Sequence, residues 1–240
     1  YDQFDKAQAS GATCPVARDE AGGIIYGANG DPMPMYYDYN GTKYAFTGGD
    51  AIYEDVNHDG SIDQYDVVYL GSSLPKLTGG FGFRLFYKGW SLNAQFNYRY
   101  GNKIANVARM MAENMHGADN QSTAVNYRWR KEGDGANGGH VLPRALYGQG
   151  YNWMGSDRFV EDGSFLRLNY LQLSYGFDSK LVKRIGLSRL NLYVSGENLF
   201  CLTKYSGVDP EVNYGSMGVT KDEAITPRAK SFTFGLTATF

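Results

Sequence analysis

Hydrophobic and polar residues alternate with a period of two in several runs between residue 80 and the end of the chain. That period sends successive side chains to opposite faces of a strand. In residues 230–240, Phe232, Phe234, Leu236, Ala238 and Phe240 take one face, and Ser231, Thr233, Gly235, Thr237 and Thr239 the other. In residues 90–100, Trp90, Leu92, Ala94, Phe96, Tyr98 and Tyr100 oppose Ser91, Asn93, Gln95, Asn97 and Arg99 without exception. Ahead of a Lys88-Gly89 turn, Phe81, Phe83, Leu85 and Tyr87 alternate with small or charged residues, and Phe86 alone falls on the wrong face. Residues 188–199 set Leu190, Leu192 and Val194 against Arg189, Asn191, Tyr193, Ser195 and Glu197. Residues 164–177 slip phase: Leu166, Leu168 and Tyr170 share one face, then Leu171, Leu173, Tyr175 and Phe177 share the other. A bulge near Tyr170 is expected to restore a single apolar face. The pattern predicts five long strands, all antiparallel neighbours.

The connections are unequal. The Lys88-Gly89 turn is very short, whereas residues 101–163 and 204–229 show no strand pattern, apart from helical spacing of Ile104, Val107, Ala108, Met111 and Met115. Connections that long are rare in compact domains and generally functional. Outer-membrane barrels pair short periplasmic turns with long extracellular loops. Each long run is also close to the ~9–11 residues of a tilted membrane strand. Tyr87, Trp90, Tyr98, Tyr100, Tyr175, Phe177 and Phe240 sit near strand ends, where interfacial aromatic girdles lie. The aromatic carboxyl terminus is also how bacterial outer-membrane strands commonly finish. Alternation alone leaves a soluble sandwich open, because either face can be the buried one. Five strands cannot close a membrane barrel, since bacterial single-chain barrels begin at about eight. The expected context is therefore a larger barrel or pairing with other chains.

Residues 1–50 are irregular and punctuated by Gly and Pro; Asn40-Gly41 is a strong hairpin signal between 36–39 and 43–46. The chain has 240 residues, a formal charge of −2, twenty Tyr, thirteen Phe, three Trp and thirty-one Gly. No run approaches the ~20 apolar residues of a membrane helix, and the mean hydropathy of −0.43 is compatible with strands that dilute it by alternation. The near-neutral charge, without a basic cluster, argues against a nucleic-acid partner. Cys14 and Cys201 lack metal-ligand spacing; a disulfide in an oxidising compartment and two inert thiols both remain open. Tyr1 follows no Met or leader, which points to a processed precursor or a piece of a longer chain.

One motif carries metal chemistry. Asp55, Asn57, Asp59, Ser61, Asp63 and Asp66 occupy positions 1, 3, 5, 7, 9 and 12 of a twelve-residue loop with Gly60 at 6. That is EF-hand-type spacing, with Ser61 offering its backbone carbonyl, and it would hold Ca²⁺. Asp66 replaces the usual bidentate Glu, and no amphipathic helix precedes Asp55. A static structural calcium therefore fits better than a helix-loop-helix sensor, with a self-capping Asx loop as the metal-free alternative. His58 is read as a surface residue, and His116 and His140 have no partner at zinc or catalytic spacing. Glu161 with Asp162, and Glu211 with Asp209, are acid pairs of the kind glycosidases use, but adjacent acids in polar loops are normally solvated. The chain carries no nucleophile elbow, phosphate loop or dinucleotide fingerprint, and no enzyme is expected.

From about residue 50 onward the chain resembles the carboxyl-terminal part of a SusC-like TonB-dependent transporter. The matching stretches are residues 55–66 with Leu70-Gly71 and Pro75, Gly79-Gly80-Phe81-Gly82, Tyr87-Lys88-Gly89-Trp90-Ser91-Leu92 and Ser164-Phe165-Leu166-Arg167-Leu168. They continue through Gly196-Glu197-Asn198-Leu199-Phe200, Tyr205-Ser206-Gly207-Val208-Asp209-Pro210-Glu211 and Pro227-Arg228. The resemblance implies an all-β fold: the last strands of a 22-stranded transmembrane barrel in the outer membrane of a Gram-negative bacterium. Residues 1–79 would be an extracellular loop region, and residues 80–240 would be barrel strands with extracellular loops 101–163 and 204–229. The plug domain of the family is absent from this sequence. Import of oligosaccharides or peptides with energy from TonB, under a SusD-like surface lipoprotein, is the implied function. Trp129, Tyr147, Tyr151 and Trp153 become candidates to stack on a ligand. Lumen-facing Asn93, Gln95, Asn97, Arg99, Asn191 and Glu197 become candidates to touch solute or plug. The competing reading is a secreted, calcium-stabilised β-domain that binds carbohydrate or mediates adhesion, in which the apolar faces would be sealed against each other.

Overall fold

The computed structural model describes residues 16–131, 134, 142–211 and 220–240. Cys14 and His140 lie outside them. The chain forms two compact units, one built from segments up to Tyr69 and from Arg109–Ser156, the other from Leu70–Ala108 and Asp157–Phe240.

The first unit is organised by a hairpin. Strands β1 (Tyr36–Tyr39) and β2 (Thr42–Ala45) pair antiparallel around Asn40-Gly41. Both turn residues have positive φ, 50° and 76°, which the tight hairpin turn needs and Asn-Gly tolerates. A two-residue strand β3 (Ser61–Ile62) lies parallel to β1, with Ile62 opposite Tyr37. These strands place Met35, Phe46 and Ile62 in one buried cluster, flanked by Tyr37, Tyr44, Ile52, Tyr53, Tyr151 and Met154. A segment of low regularity thus acquires a core because the residues beside its turns are aromatic.

The second unit carries the five predicted strands. They are β4 (Leu77–Tyr87), β5 (Trp90–Tyr100), β8 (Phe165–Gly176), β9 (Arg189–Thr203) and β10 (Ser231–Thr239), in the order β10-β9-β8-β5-β4. Every neighbouring pair is antiparallel. Two short strands, β6 (Lys103–Ala105) and β7 (Val160–Asp162), pair inside the stretch read above as strandless. Three residues are too few to display a period, so this pair left no trace in the hydropathy pattern. The helical spacing that starts at Ile104 yields only α1 (Val107–Glu113), because the chain before it is spent on β6. A short helical turn, α2 (Ser179–Val182), lies between β8 and β9.

The expected bulge is present. Register shifts between Leu168 and Tyr170, leaving Asn169 of β8 against Asn198 and Leu199 of β9. With Asn169 set aside, Leu166, Leu168, Leu171, Leu173 and Tyr175 fall opposite Tyr98, Phe96, Ala94, Leu92 and Trp90. Tyr170 is then opposite Gln95 and joins the polar face, one residue from where the phase slip alone assigned it. Strand β9 continues past Leu199 to Thr203, with Phe200 and Leu202 opposite Leu168 and Leu166.

One face of the sheet is therefore apolar, and among the described residues its outer rows are left open. Phe232 is 65% exposed, Leu236 62% and Phe234 80%. A secreted sandwich would seal these rows; here they remain open. Among the described residues no helix is long and apolar enough to cross a membrane. All the long connections leave one end of the sheet, and the Lys88-Gly89 turn and the α2 connection leave the other.

Truncating the hairpin core tests the first unit. Phe46, 1% exposed, packs against Tyr44 and Tyr53. Phe46→Ala is expected to destabilise that unit by about 3–5 kcal/mol, read as faster limited proteolysis within residues 16–69 of the full-length protein, with the sheet intact.

Candidate functional site

The calcium-type loop folds on itself through side-chain oxygens. Asp55 Oδ1 accepts the Asp59 N–H at 3.2 Å and its Oδ2 the Gly60 N–H at 2.8 Å. Asn57 Oδ1 accepts from Asp59 N–H, and Asp59 Oδ1 from Ser61 N–H. Asp66 closes the loop, taking Val56 N–H and Asp63 N–H at 2.8 Å each. Asp63 caps the 3-10 turn that holds Asp66. Gly60 lies against the Met33 methyl and has φ +83°, a left-handed conformation that is strained for any residue with a side chain. The Gly60 carbonyl receives the Tyr36 N–H at 3.1 Å, which ties the loop to β1. His58 is turned to the Arg18 carbonyl, 3.1 Å from Nδ1. Among the described residues no three Asp, Glu, His or Cys side chains converge on one metal-sized point. Each of these loop carboxylate oxygens has lone-pair capacity beyond its backbone contact.

The four loop aromatics are placed differently from one another. Tyr147 is 80% exposed. Tyr151 stacks on Tyr44 at 4.2 Å between ring centroids, and its carbonyl accepts from the Tyr53 hydroxyl. Trp129 lies over Gly49, where φ is +81° and any Cβ would strike the indole. Trp153 is buried at 3%. Only Tyr147 therefore offers an open ring; the others help build the first unit.

Sequence reasoning missed a buried and multiply bonded carboxylate of that unit. Asp50, 1% exposed, accepts from Arg144 Nε at 2.6 Å, Thr47 N–H at 2.9 Å, Tyr44 OH at 2.7 Å and Asn152 Nδ2 at 3.0 Å. Burial opposes ionisation of Asp50, but the hydrogen bonds from Arg144, Thr47, Tyr44 and Asn152 outweigh it and hold the carboxyl below its ordinary range. Burial, then the hydrogen bond to Asp50, pushes the Tyr44 phenol up to about 12. Asp50 and Arg144 are 94 positions apart, and no spacing rule links them.

The polar face of the sheet carries the second candidate. Arg167 projects from β8 opposite Asn97 and Cys201. Its guanidinium meets Asp209, and its Nε lies 2.8 Å from Glu211 Oε2, an ionic contact without hydrogen-bond alignment. Glu211 also contacts Arg228 at 3.3 Å and receives Asn97 Nδ2 at 3.4 Å. Arg99 and Arg167 lie over the Phe165 ring at 5.1 and 5.7 Å. Arg99, Phe165, Arg167 and Asp209 are all buried. The Asp209-Pro210-Glu211 segment is thus clamped to the polar face, and beside it opens a recess of about 430 Å³ lined by Gln95, Asn169, Tyr170, Glu197, Asn198 and Arg228. The two acid pairs considered for glycosidase chemistry have other partners. Glu161 accepts from Asn106 and from the Ser206 N–H and hydroxyl, while Asp162 accepts from Ser164. Tyr205 donates to Asp222, and burial followed by that bond raises its phenol pKa.

The Tyr44–Asp50 pair gives a pH signature. A phenol raised from 10 to about 12 contributes stability that is complete below pH 10 and is lost as pH climbs through about 12. Tyr44→Phe is expected to remove that alkaline loss, checked by thermal unfolding between pH 9 and 12.5 relative to wild type.

No protein-family model matches the chain. It is 30% identical over 199 residues to TonB-dependent receptor P3 of Formosa agariphila, covering 80% of this chain and 19% of that protein. It is 28% identical over 222 residues to TonB-dependent receptor SusC of Bacteroides thetaiotaomicron, covering 90% and 18%. The chain thus spans about a fifth of the length of these curated relatives. Among solved structures, a RagAB peptide transporter superposes with a TM-score of 0.60 at 26% identity over 85% of this chain and 20% of the other. RagAB in its open-open state gives 0.58 at 25% identity over the same shares. The open apolar rows, the unequal ends and these likenesses agree, and they place the strands in the bacterial outer membrane. The chain belongs to the SusC-like TonB-dependent outer-membrane transporters, and its five long strands are barrel wall of that family.

Proposed function

We propose that the chain supplies wall and mouth of an active importer that brings oligosaccharides or peptides across the outer membrane on energy delivered by TonB. The observation that carries this reading is the pairing of an open apolar face with a polar face that holds a buried ion cluster and a polar recess. Relatives named TonB-dependent receptors and a peptide importer support it. The long connections, 101–163 and 204–229, stand on the extracellular side and meet a SusD-like lipoprotein lid. Tyr147 is the ring best placed to stack on solute, and Arg99 and Glu197 belong to the lumenal lining. Plug, TonB-contacting segment and remaining strands belong to the rest of the transporter.

The test is uptake by the native host. Deleting the full-length gene, or its TonB, should abolish uptake of one defined oligosaccharide or peptide class, and affinity purification of the transporter should recover a SusD-like lipoprotein. Uptake that survives loss of TonB would refute active transport.

Calcium is part of the same proposal. The loop from Asp55 to Asp66 takes one Ca²⁺ through Asp55, Asn57, Asp59, Asp63 and Asp66 with the Ser61 carbonyl, in a structural role. The support is the lone-pair capacity left by the backbone contacts and the side-chain-free position at Gly60. A bound ion would relieve repulsion among four carboxylates and stiffen the link to β1. Calorimetric titration of the full-length protein should show one Ca²⁺ site that Asp55→Ala removes, and chelation should lower the melting temperature. No heat and no melting shift would exclude the ion.

A further inference from the structure

The connection between β8 and β9 has a feature that neither import nor barrel closure requires. It leaves the same end of the sheet as the two-residue Lys88-Gly89 turn, yet it runs from residue 177 to 188 and folds into its own helical turn. Asp178 caps α2 by accepting the Lys180 N–H at 2.8 Å. A further 3-10 turn (Lys183–Ile185) follows and ends at Gly186, whose φ of +81° is the left-handed stop. Val182 is 2% exposed and seats the turn, while the Leu187 N–H bonds back to the Val182 carbonyl.

The rest of this turn mixes exposed apolar and cationic side chains. Leu181 and Ile185 are 58% and 67% exposed. Lys180, Lys183 and Arg184 are all exposed. Two apolar side chains in water beside three cations make little sense in a solvent-facing turn. Their position resolves this. β8 ends just after Tyr175, Phe177 follows it and packs edge to face on Tyr175 at 5.0 Å, and Trp90 lies 4.8 Å from Tyr175. Those rings continue the lipid-facing rows of β5 and β8 down to the turn. Aromatic rings at that level mark the membrane–water boundary, and short turns mark the periplasmic side.

We propose that the α2 turn is an interfacial anchor that binds anionic phospholipid headgroups of the periplasmic leaflet. Leu181 and Ile185 enter the boundary of the acyl chains, and Lys180, Lys183 and Arg184 contact headgroup phosphates. Apolar residues immersed at the headgroup level with cations reaching phosphate is the arrangement of amphipathic interfacial helices. Its effect is to fix the depth of the last strands against the leaflet.

Two measurements on the full-length protein test it. A single Trp introduced as Ile185→Trp, in a background whose native Trp residues are replaced by Phe, is placed in vesicles of phosphatidylethanolamine and phosphatidylglycerol carrying brominated acyl chains. Strong quenching and blue-shifted emission are expected; a water-like, unquenched emission would overturn insertion. Second, phosphatidylglycerol is titrated into detergent-solubilised protein and followed by native mass spectrometry, comparing wild type with a Lys180→Gln, Lys183→Gln, Arg184→Gln variant. The variant is expected to bind on the order of tenfold or more weakly, with no change for phosphatidylcholine. Equal affinities in the two proteins would overturn headgroup recognition. Heat-modifiable migration on gels confirms that each variant retains its barrel, so loss of binding is not loss of fold.

Discussion

In hydrocarbon there is no water to pair with a peptide group, so every N–H and C=O of a spanning strand has to find a neighbouring strand. That constraint organises the second unit. β5, β8 and β9 satisfy it on both sides through antiparallel ladders interrupted only at the Asn169 bulge, whereas among the described residues β4 and β10 each have one edge without a partner in the sheet. An open edge next to exposed apolar rows is a strong aggregation hazard in water. The same edges are seams to adjoining wall once the strands belong to a closed barrel. Family membership and the ladder pattern thus explain each other.

Side-chain segregation follows from the ladders. Because neighbours pair residue to residue, one phase error would carry charge into lipid along a whole strand. The bulge at Asn169 prevents that, and it puts Arg167 on the wet face, where it meets Asp209 and Glu211. A guanidinium removed from water is costly unless its partners are close and hydrogen-bonded. Here two acids of one loop and the face of Phe165 supply the compensation. The consequence for function is that a segment from the long-loop end is held against the lumenal wall by charge, beside the polar recess.

The strands were legible because alternation is local. Their existence, the Lys88-Gly89 turn, the Asn40-Gly41 hairpin and the existence of the bulge all followed from residues within a few positions of one another, whereas β4 starts earlier, at Leu77, and β9 ends later, at Thr203, than the alternation marked. The phase of Tyr170 was misread by one residue, since only cross-strand register decides which residue a bulge leaves out. β6 and β7 were invisible because three residues carry no period, and their pairing joins positions near 104 and 161. The site was less legible for the same reason. Asp50 with Arg144, and Arg167 with Asp209, are long-range partners of ordinary residue types. Trp129, Tyr151 and Trp153 looked like ligand platforms because sequence shows the presence of a ring but not what lies against it. Gly49 was a readable hint, since a glycine beside a turn can mark a place where an aromatic plane lies on the backbone.

The paired irregularity of Asn169 with Asn198 and Leu199 has a mechanical consequence. A bulge bends its strand and tightens the local twist, and here two adjacent strands carry it at the same height. Bends at one height on neighbouring strands act along a line rather than at a point, and Asn198 takes up its share in the left-handed region, at φ 52°. The direction of the strand ends above that line is thus set by backbone count and not by the size of any lining side chain.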